Sequence, residues 1–574
     1  MNKIYSLFVS LLFLTTSTLN AQEFLDVPMW DGTPENTLDQ VILKDTTDAG
    51  ERIENRVYRL ERGAFYVMNQ TLALTSSFAM VSAGDESLRP PVIIRGEYSS
   101  GDPVGGFFIF NGSDNNYYFE NIFFSALDFD DPTTYDAQWT FAVAFKGNNS
   151  HIELQGCIFN GFQGQTIQTS GIGNTIYLSD NIFRNGNNKY HPFVGQQTGF
   201  GKQQINSLIL TNNTFFNNTS FLLFVEGGQG LVDRAVVEHN TFYTSMIDGI
   251  RMIDMVNLQS RSNLYYAVGA YGDNAKSQEE AWYPPVDGEL AINSFAVVKE
   301  GLMTAAGLTE ADRVIEITNN AYFTPSAISD YQTQFGLTGA VWINPVSQPM
   351  FDDATAYPNL SDTDNLNIDP KFANTAVNTW TVDELATACT ELRETAGTAG
   401  WGTNTSRRNI DEDLGESGMI MVDWPLVEGN HEITEASLLT AGHDGLPVGT
   451  LNWNASNRGQ YSYPEGVEGM LRLSMFGGLS VNDKYFTEMG YKLNSYPNPV
   501  KETANIEFEL PKTANVTISV YNIMGQKIED ITSASFTKGK HVVSWDASGV
   551  PAGIFIYKLE TEEVTQSRQI IIRK

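Results

Sequence analysis

Arg251, in "GIRMID" (249–254), and Lys202, in "GFGKQQ", are basic residues in stretches that otherwise carry little charge. A fixed cation can neutralise a carboxylate on a bound molecule, and a neighbouring base can take the proton beside it. Glu226 and Asp254 end two similar stretches, "FLLFVE" (221–226) and "GIRMID". Two carboxylates held about 5–9.5 Å apart are the pair that cleaves an acetal. Lys146, ending "FAVAFK" (141–146), and Gln168, in "QTIQTS" (165–170), offer hydrogen bonds along the same edge. Trp282 and Tyr283, in "GDNAKSQEEAWYPPVDGE" (272–289), can stack on a ligand ring or pack their own loop.

Oxygen ligands are plentiful. "LDFDDPTTYD" holds Asp128, Asp130, Asp131 and Asp136, and "SDTDNLNID" holds Asp362, Asp364 and Asp369. Calcium is the one cofactor such groups suit, although neither stretch has the glycine that an EF-hand loop needs at its sixth position. Solvated acidic loops read the same way. No G-x-S-x-G, H-E-x-x-H, phosphate-binding loop or Cys/His zinc spacing occurs. With only six histidines, a histidine-based metal centre is not expected.

The elements that must position these residues repeat. Aligned on one asparagine, the units are "YYFENIFF" (Asn121, Phe123), "IELQGCIF" (Cys157, Phe159), "IYLSDNIF" (Asn181, Phe183), "LILTNNTF" (Asn213, Phe215), "VVEHNTF" (Asn240, Phe242), "NLQSRSNLY" (Asn263, Tyr265) and "IEITNNAY" (Asn320, Tyr322). The shorter steps, 23, 24 and 27 residues, mark one coil each. A short strand precedes the asparagine, which tolerates the left-handed corner. The aromatic two positions later points inward, and a second strand follows. Such a unit cannot bury its own apolar face, but a stack of them can. Asn121, Asn181, Asn213, Asn240, Asn263 and Asn320 then form an amide ladder, a scaffold rather than a site.

Bulk composition agrees. Of 574 residues, 41% are hydrophobic, enough for a large core, and the length exceeds one ordinary domain. A net charge of −33 argues against a nucleic-acid partner. Two cysteines, Cys157 and Cys389, allow one disulfide at most, and a buried thiol suits Cys157 better. Residues 1–21 read as a secretory signal, with Lys3 before the apolar run Ile4–Leu14 and Ala21 at the cleavage point. No later stretch has transmembrane length.

The N-x-F repeat over roughly Asn55–Phe323 resembles the right-handed parallel β-helix of pectin-lyase-like proteins. In that family the substrate lies along one strand face. The resemblance implies an extracellular polysaccharide as partner and makes Arg251, Lys202, Glu226 and Asp254 candidates for its cleavage. Alternation puts Ile250 and Met252 inward and Arg251 outward. No lyase signature is complete, so a polysaccharide-binding surface protein is the first reading. A polysaccharide lyase comes second and a glycoside hydrolase third.

The chain therefore divides into a signal (1–21), a cap (22–54), the β-helix (55–323), a wrap over it (324–480), a linker (481–494) and a final module (495–574). The cap contains a short amphipathic helix at 33–45, and the wrap a helix at 381–394 opened by Thr381 and Glu384. In the final module Ile506, Phe508 and Leu510 alternate with Glu507 and Glu509, the pattern of an antiparallel β-sandwich. "YPNP" (Tyr496, Pro497, Asn498, Pro499), "YNIMGQ" with Gly525, "SGVPAGIFIYKL" with Gly553, and the basic end Arg573–Lys574 closely resemble the type A sorting domain of the type IX secretion system. That resemblance implies passage through the periplasm, engagement of the secretion machinery by 495–574, and release or anchoring at the outer surface. A monomer is expected.

Overall fold

The structure, a computed structural model, describes residues 23–53, 56–97, 104–128, 141–162, 164–186, 198–218, 220–225, 227–246, 250–272, 291–294, 298–299, 301–373, 382–395, 412–414, 420–422, 431–454, 456–457, 460–461, 491–496, 500–522, 527–550, 553–561 and 565–572. Two compact units emerge, one from Phe24 to Tyr463 and one holding the C-terminal antiparallel strands.

Each coil of the larger unit gives one strand to each of three sheets. The first sheet has eleven strands, from Glu23–Asp26 to Leu360–Thr363. The second has ten, from Phe65–Met68 to Leu366–Asn367, and the third nine, from Leu72–Leu74 to Val341–Ile343. Thus Asn174–Ser179, Ile182–Gly186 and Thr198–Phe200 make one coil, and Ile205–Thr211, Thr214–Asn218 and Leu223–Val225 stack on it in parallel. This is a parallel β-helix. It has three strands per coil where the sequence reading counted two, because the inward aromatic lies within a short strand of its own.

The ladder is continuous. Asn213 donates its Nδ2 hydrogens to the Leu178 carbonyl (2.8 Å) and to Asn240 Oδ1 (2.9 Å), while its Oδ1 accepts from Asn181 N (2.9 Å). Asn240, Asn263 and Asn320 repeat the pattern, and Asn365 extends it by one coil that the sequence reading missed. Inside it, Phe124, Phe159, Phe183, Phe215, Phe242 and Tyr265 stack with centroids 4.6–5.2 Å apart. Burying each phenylalanine contributes about 1.5–3 kcal/mol.

Two expectations are corrected. Glu120 pairs with Gln155, so Ile122, not Asn121, occupies the ladder position, and Phe124, not Phe123, joins the stack. The adjacent Phe123 and Phe124 made the spacing ambiguous by one residue. The left-handed corner, too, belongs to the residue before the ladder asparagine. Asn121, Gly156, Asp180, Asn212, His239, Ser262, Asn319 and Asp364 all have φ between 52° and 61°. Cys157 does occupy the ladder position; it and Cys389 are buried thiols not joined in a disulfide, and burial pushes the Cys157 thiol up to about 12.

The helix expected near the N-terminus spans Leu38–Lys44 and buries Leu38 and Ile42. Its buried Asp39 accepts hydrogen bonds from Asn69 N and Gln70 Nε2, both at 2.9 Å. The helix expected at 381–394 spans Val382–Thr395. Its Leu385 and Cys389 join Ile328 and Tyr331 of the helix Ser326–Gln334 in covering Phe216, Tyr243 and Tyr266 on the outer side of the second sheet. His431 lies in the same cluster, its ring centroid 4.7–5.6 Å from those of Phe216, Tyr243, Phe372 and Trp453.

The C-terminal unit packs a three-stranded antiparallel sheet (Lys492–Tyr496, Thr503–Leu510, Gly539–Asp546) and a four-stranded one (Lys527–Phe536, Ala514–Asn522, Gly553–Glu560, Thr565–Ile572). Ile506, Phe508 and Leu510 are buried and share a core with Ile518, Val520, Trp545 and Leu559. Among the described residues no helix is long and apolar enough to cross a membrane.

Asn213→Ala strands a buried carbonyl and a buried N–H, each costing about 1–3 kcal/mol. It should lower stability in denaturant titrations well beyond Asn365→Ala, whose site is half-buried at the ladder's end. Burial depresses the His431 imidazole to about 3. The unfolded chain therefore binds the extra proton below the ordinary histidine value near 6.5. Stability should fall as pH drops from about 6.5 toward 3, by up to ~1.4 kcal/mol per pH unit. His431→Phe should flatten that part of a Tm-against-pH curve.

Candidate functional site

The strand face singled out for chemistry is the outer side of the third sheet. Register aligns Ile109, Ala144, Gln168, Gly199, Phe224 and Arg251 in one row across it. Ile250 and Met252 point into the core, as alternation required, and Arg251 takes the other side. It is not solvated there. Arg251 is 8% exposed, and its guanidinium carbon lies 5.6 Å from the centroid of the buried Phe224 ring. Alternation tells which face a side chain takes, not whether that face is open. Phe224 belongs to the outer apolar cluster with Phe216 and Phe221, and Arg251 lays its cation on that ring.

Lys202, Lys146 and Gln168, which are among the described residues, do not gather around it. Lys202 is exposed on a turn after Thr198–Phe200, and its carbonyl accepts from Gln229 N (3.1 Å). The strand Leu223–Val225 separates that coil from Ile250–Met252, so Lys202 and Arg251 stand roughly 9–10 Å apart along the stack. Lys146 is exposed at the turn after Phe141–Phe145, and Gln168 is half-buried in the middle of the row. Glu226, Trp282, Tyr283, Asp130 and Asp131 lie outside the described residues, as does the side chain of Asp128. Of the sorting residues, Tyr496 is exposed at a strand end and Gly553 opens a strand, while Pro497, Asn498, Pro499 and Gly525 lie outside the described residues.

Asp254 holds a corner of the fold. It is fully buried, takes φ 63°, and accepts from Lys299 N (2.7 Å) through Oδ1 and from Gly228 N through Oδ2. Lys299 Nζ closes the ring by donating to the Gly228 carbonyl (3.0 Å). Burial raises the Asp254 carboxyl, against the two N–H bonds and the Lys299 charge. Asp362 likewise serves a turn, accepting from Trp342 Nε1 (3.0 Å) and Asn365 Nδ2 (2.6 Å).

A cluster that sequence reading missed sits where residues 441–453 cross the coils along the left-handed corner. Asn319 Nδ2 donates to the Ala441 carbonyl (3.2 Å), Gly449 N to the Ser262 carbonyl (2.7 Å), Leu451 N to Asn212 Oδ1 (2.7 Å) and Asn452 Nδ2 to Asp180 Oδ1 (3.0 Å). This strap brings His443 and Asp444 to Glu238 and His239. His443 Nε2 lies 3.1 Å from Glu238 Oε1, and His239 Nε2 lies 3.2 Å from Asp444 Oδ2. Neighbours on an extended strand point to opposite faces, but the left-handed His239 (φ 52°) turns its ring to the side of Glu238. Arg261 Nε donates to the second oxygen of Glu238 (3.1 Å). Burial lifts the Asp444 carboxyl, yet the His239 ring, the Leu446 N–H and the imidazole charges outweigh it and hold it at about 2.

Ser262 Oγ lies 2.8 Å from His443 Nδ1, so Ser262, His443 and Glu238 form a serine–histidine–carboxylate chain. It is not a nucleophile's arrangement. Ser262 is fully buried and its Oγ accepts from the backbone N–H of His443 itself (2.9 Å), which makes it a fastener for the strap. The signal for this cluster was an imidazole in a column otherwise filled by Asn, Asp, Gly and Ser; its partners lie some 200 residues away, beyond any spacing rule.

Asp254→Ala removes two charged-acceptor hydrogen bonds, worth about 1.5–3 kcal/mol each. It should lower Tm sharply, whereas a surface carboxylate poised for acid–base work could be removed with little change in Tm.

No curated protein matches the chain. Residues 494–573 match the family described as the secretion system C-terminal sorting domain, over the two antiparallel sheets of the smaller unit. That unit is a sorting tail, and it marks the chain for export by the type IX secretion system to the cell surface or beyond.

Proposed function

We propose that the β-helix is a binding protein for extracellular polysaccharide, carried out of the cell by its sorting tail. The observation that carries this reading is the outer face of the first sheet. There Tyr177 stacks on His151 of the preceding coil, ring centroids 5.4 Å apart and planes at 15°. Both residues are half-buried on the parallel sheet. Gln155 and Thr175 are half-exposed on the same two coils, and Arg234 is half-exposed two coils beyond Tyr177. A sugar ring presents an apolar face that suits such a stack and hydroxyls that suit the polar rim. Two of the groups read as candidates for bond cleavage, Arg251 and Asp254, are instead engaged in packing and in a corner.

The test passes the purified chain over immobilised uronic-acid and neutral polysaccharides while unsaturated products and reducing ends are assayed in parallel. Retention without product is expected, weakened roughly 2–10-fold by Tyr177→Ala, the ~0.5–1.5 kcal/mol of one aromatic contact. Retention unchanged by Tyr177→Ala would remove this face from the account. Product formation would move the protein to the lyases or hydrolases.

A further inference from the structure

We propose that Glu238, His239 and His443 form a binding site for a divalent transition metal of the zinc class, which fastens the 441–453 strap to the solenoid. One ligand atom from each residue lies within 4.8 Å of the others. Two imidazoles and a carboxylate are the donor set such ions prefer, and calcium and magnesium do not.

The geometry is that of a site built around its ligands. The Nδ1 atom of His239 lies 3.3 Å from the Gly449 carbonyl, which can only accept, so Nδ1 carries a proton, and Nε2, 3.2 Å from Asp444 Oδ2, is the nitrogen that gives up its proton to take an ion. His443 Nδ1 lies 2.8 Å from Ser262 Oγ, an atom able to accept in the same way. Both rings thus have Nδ1 anchored and Nε2 facing a carboxylate, the outer-shell pattern that orients metal-ligating histidines. Arg261 holds the far oxygen of Glu238 and leaves Oε1 turned to His443. A tetrahedral ion with bonds of ~2.0–2.1 Å separates its ligand atoms by roughly 3.3 Å. The 3.1 Å separation of His443 Nε2 and Glu238 Oε1 matches that edge. Asp444, whose Oδ2 lies 3.2 Å from His239 Nε2, stands beside the three-ligand cluster rather than in it. Glu238 and His239 are buried and His443 is exposed, so an ion can enter from the strap side.

The full chain is stripped with a chelator, dialysed, and titrated with zinc chloride, with calcium chloride as the parallel titrant. Bound metal after gel filtration and the unfolding temperature are the readouts. One zinc per chain and a rise in Tm are expected, with no comparable effect of calcium. His443→Ala changes an exposed side chain, and His239→Asn places at the corner a residue that the same column already uses at Asn212 and Asn319. Both should abolish retained zinc while leaving the circular dichroism spectrum intact. Arg261→Gln should weaken affinity roughly 10-fold or more through the outer shell. Cobalt(II) should give visible bands in the chain and none in His239→Asn. Absence of retained zinc, or zinc uptake unchanged in His443→Ala and His239→Asn, would overturn the proposal, the second result placing the metal on the general acidic surface.

Discussion

A left-handed residue followed by a buried amide is the constraint on which the solenoid depends. Each coil must leave the first sheet and enter the second within a residue or two. The corner residue adopts positive φ, which Asn, Asp and Gly tolerate best. That corner turns the next side chain inward, where it would be an unsatisfied polar group unless a neighbour of the same kind lay above and below it. From Asn181 to Asn365 that neighbour is present in every coil, and each amide also satisfies a backbone carbonyl and N–H that the corner removes from the sheets. Coil insertions of very different length are tolerated between these points because the corner restores the register each time.

The same corner organises what lies outside the solenoid. Its left-handed residues present side chains and carbonyls in a vertical row, and the strap at 441–453 reads that row as a partner, bonding at Asn319, Ser262, His239, Asn212 and Asp180 in succession. The chain thereby covers two features that a bare solenoid exposes, the corner column and the aromatic outer face of the second sheet. The first-sheet face around Tyr177 and His151 is left half-buried. The sorting tail is a separate compact unit with its own core, as suits a module whose task is delivery.

The scaffold was legible because its cause is local. Asn, then any residue, then an aromatic is a short-range pattern imposed by one corner, so Asn213 and Phe215 announce their roles from three consecutive positions. Where the pattern was locally ambiguous, at Asn121–Phe124, the reading slipped by one residue. The outer chemistry was less legible because its causes are long-range. Arg251 was placed on the correct face, but its burial against Phe224 depends on the cluster around Phe216 and Phe221. The Glu238, His239 and His443 cluster depends on a segment that returns after about 200 residues, and His443 itself sits in a stretch that reads as simple turn chemistry. The tail was legible for a different reason: several short motifs in it carry a resemblance that the match over 494–573 bears out.

The central claim is that one corner column holds both the coils and the strap. Hydrogen exchange across the purified chain tests it directly. The backbone N–H groups of Asn181, Asn213, Asn240 and Asn263, each donated to the next side-chain amide, should be among the slowest to exchange. Those of Gly449 and Leu451, donated to the column, and of Thr450, donated to Thr241 Oγ1 beside it, should share their protection. A strap that exchanges as an open loop while the ladder stays protected would contradict the account, and with it the placement of His443 beside Glu238.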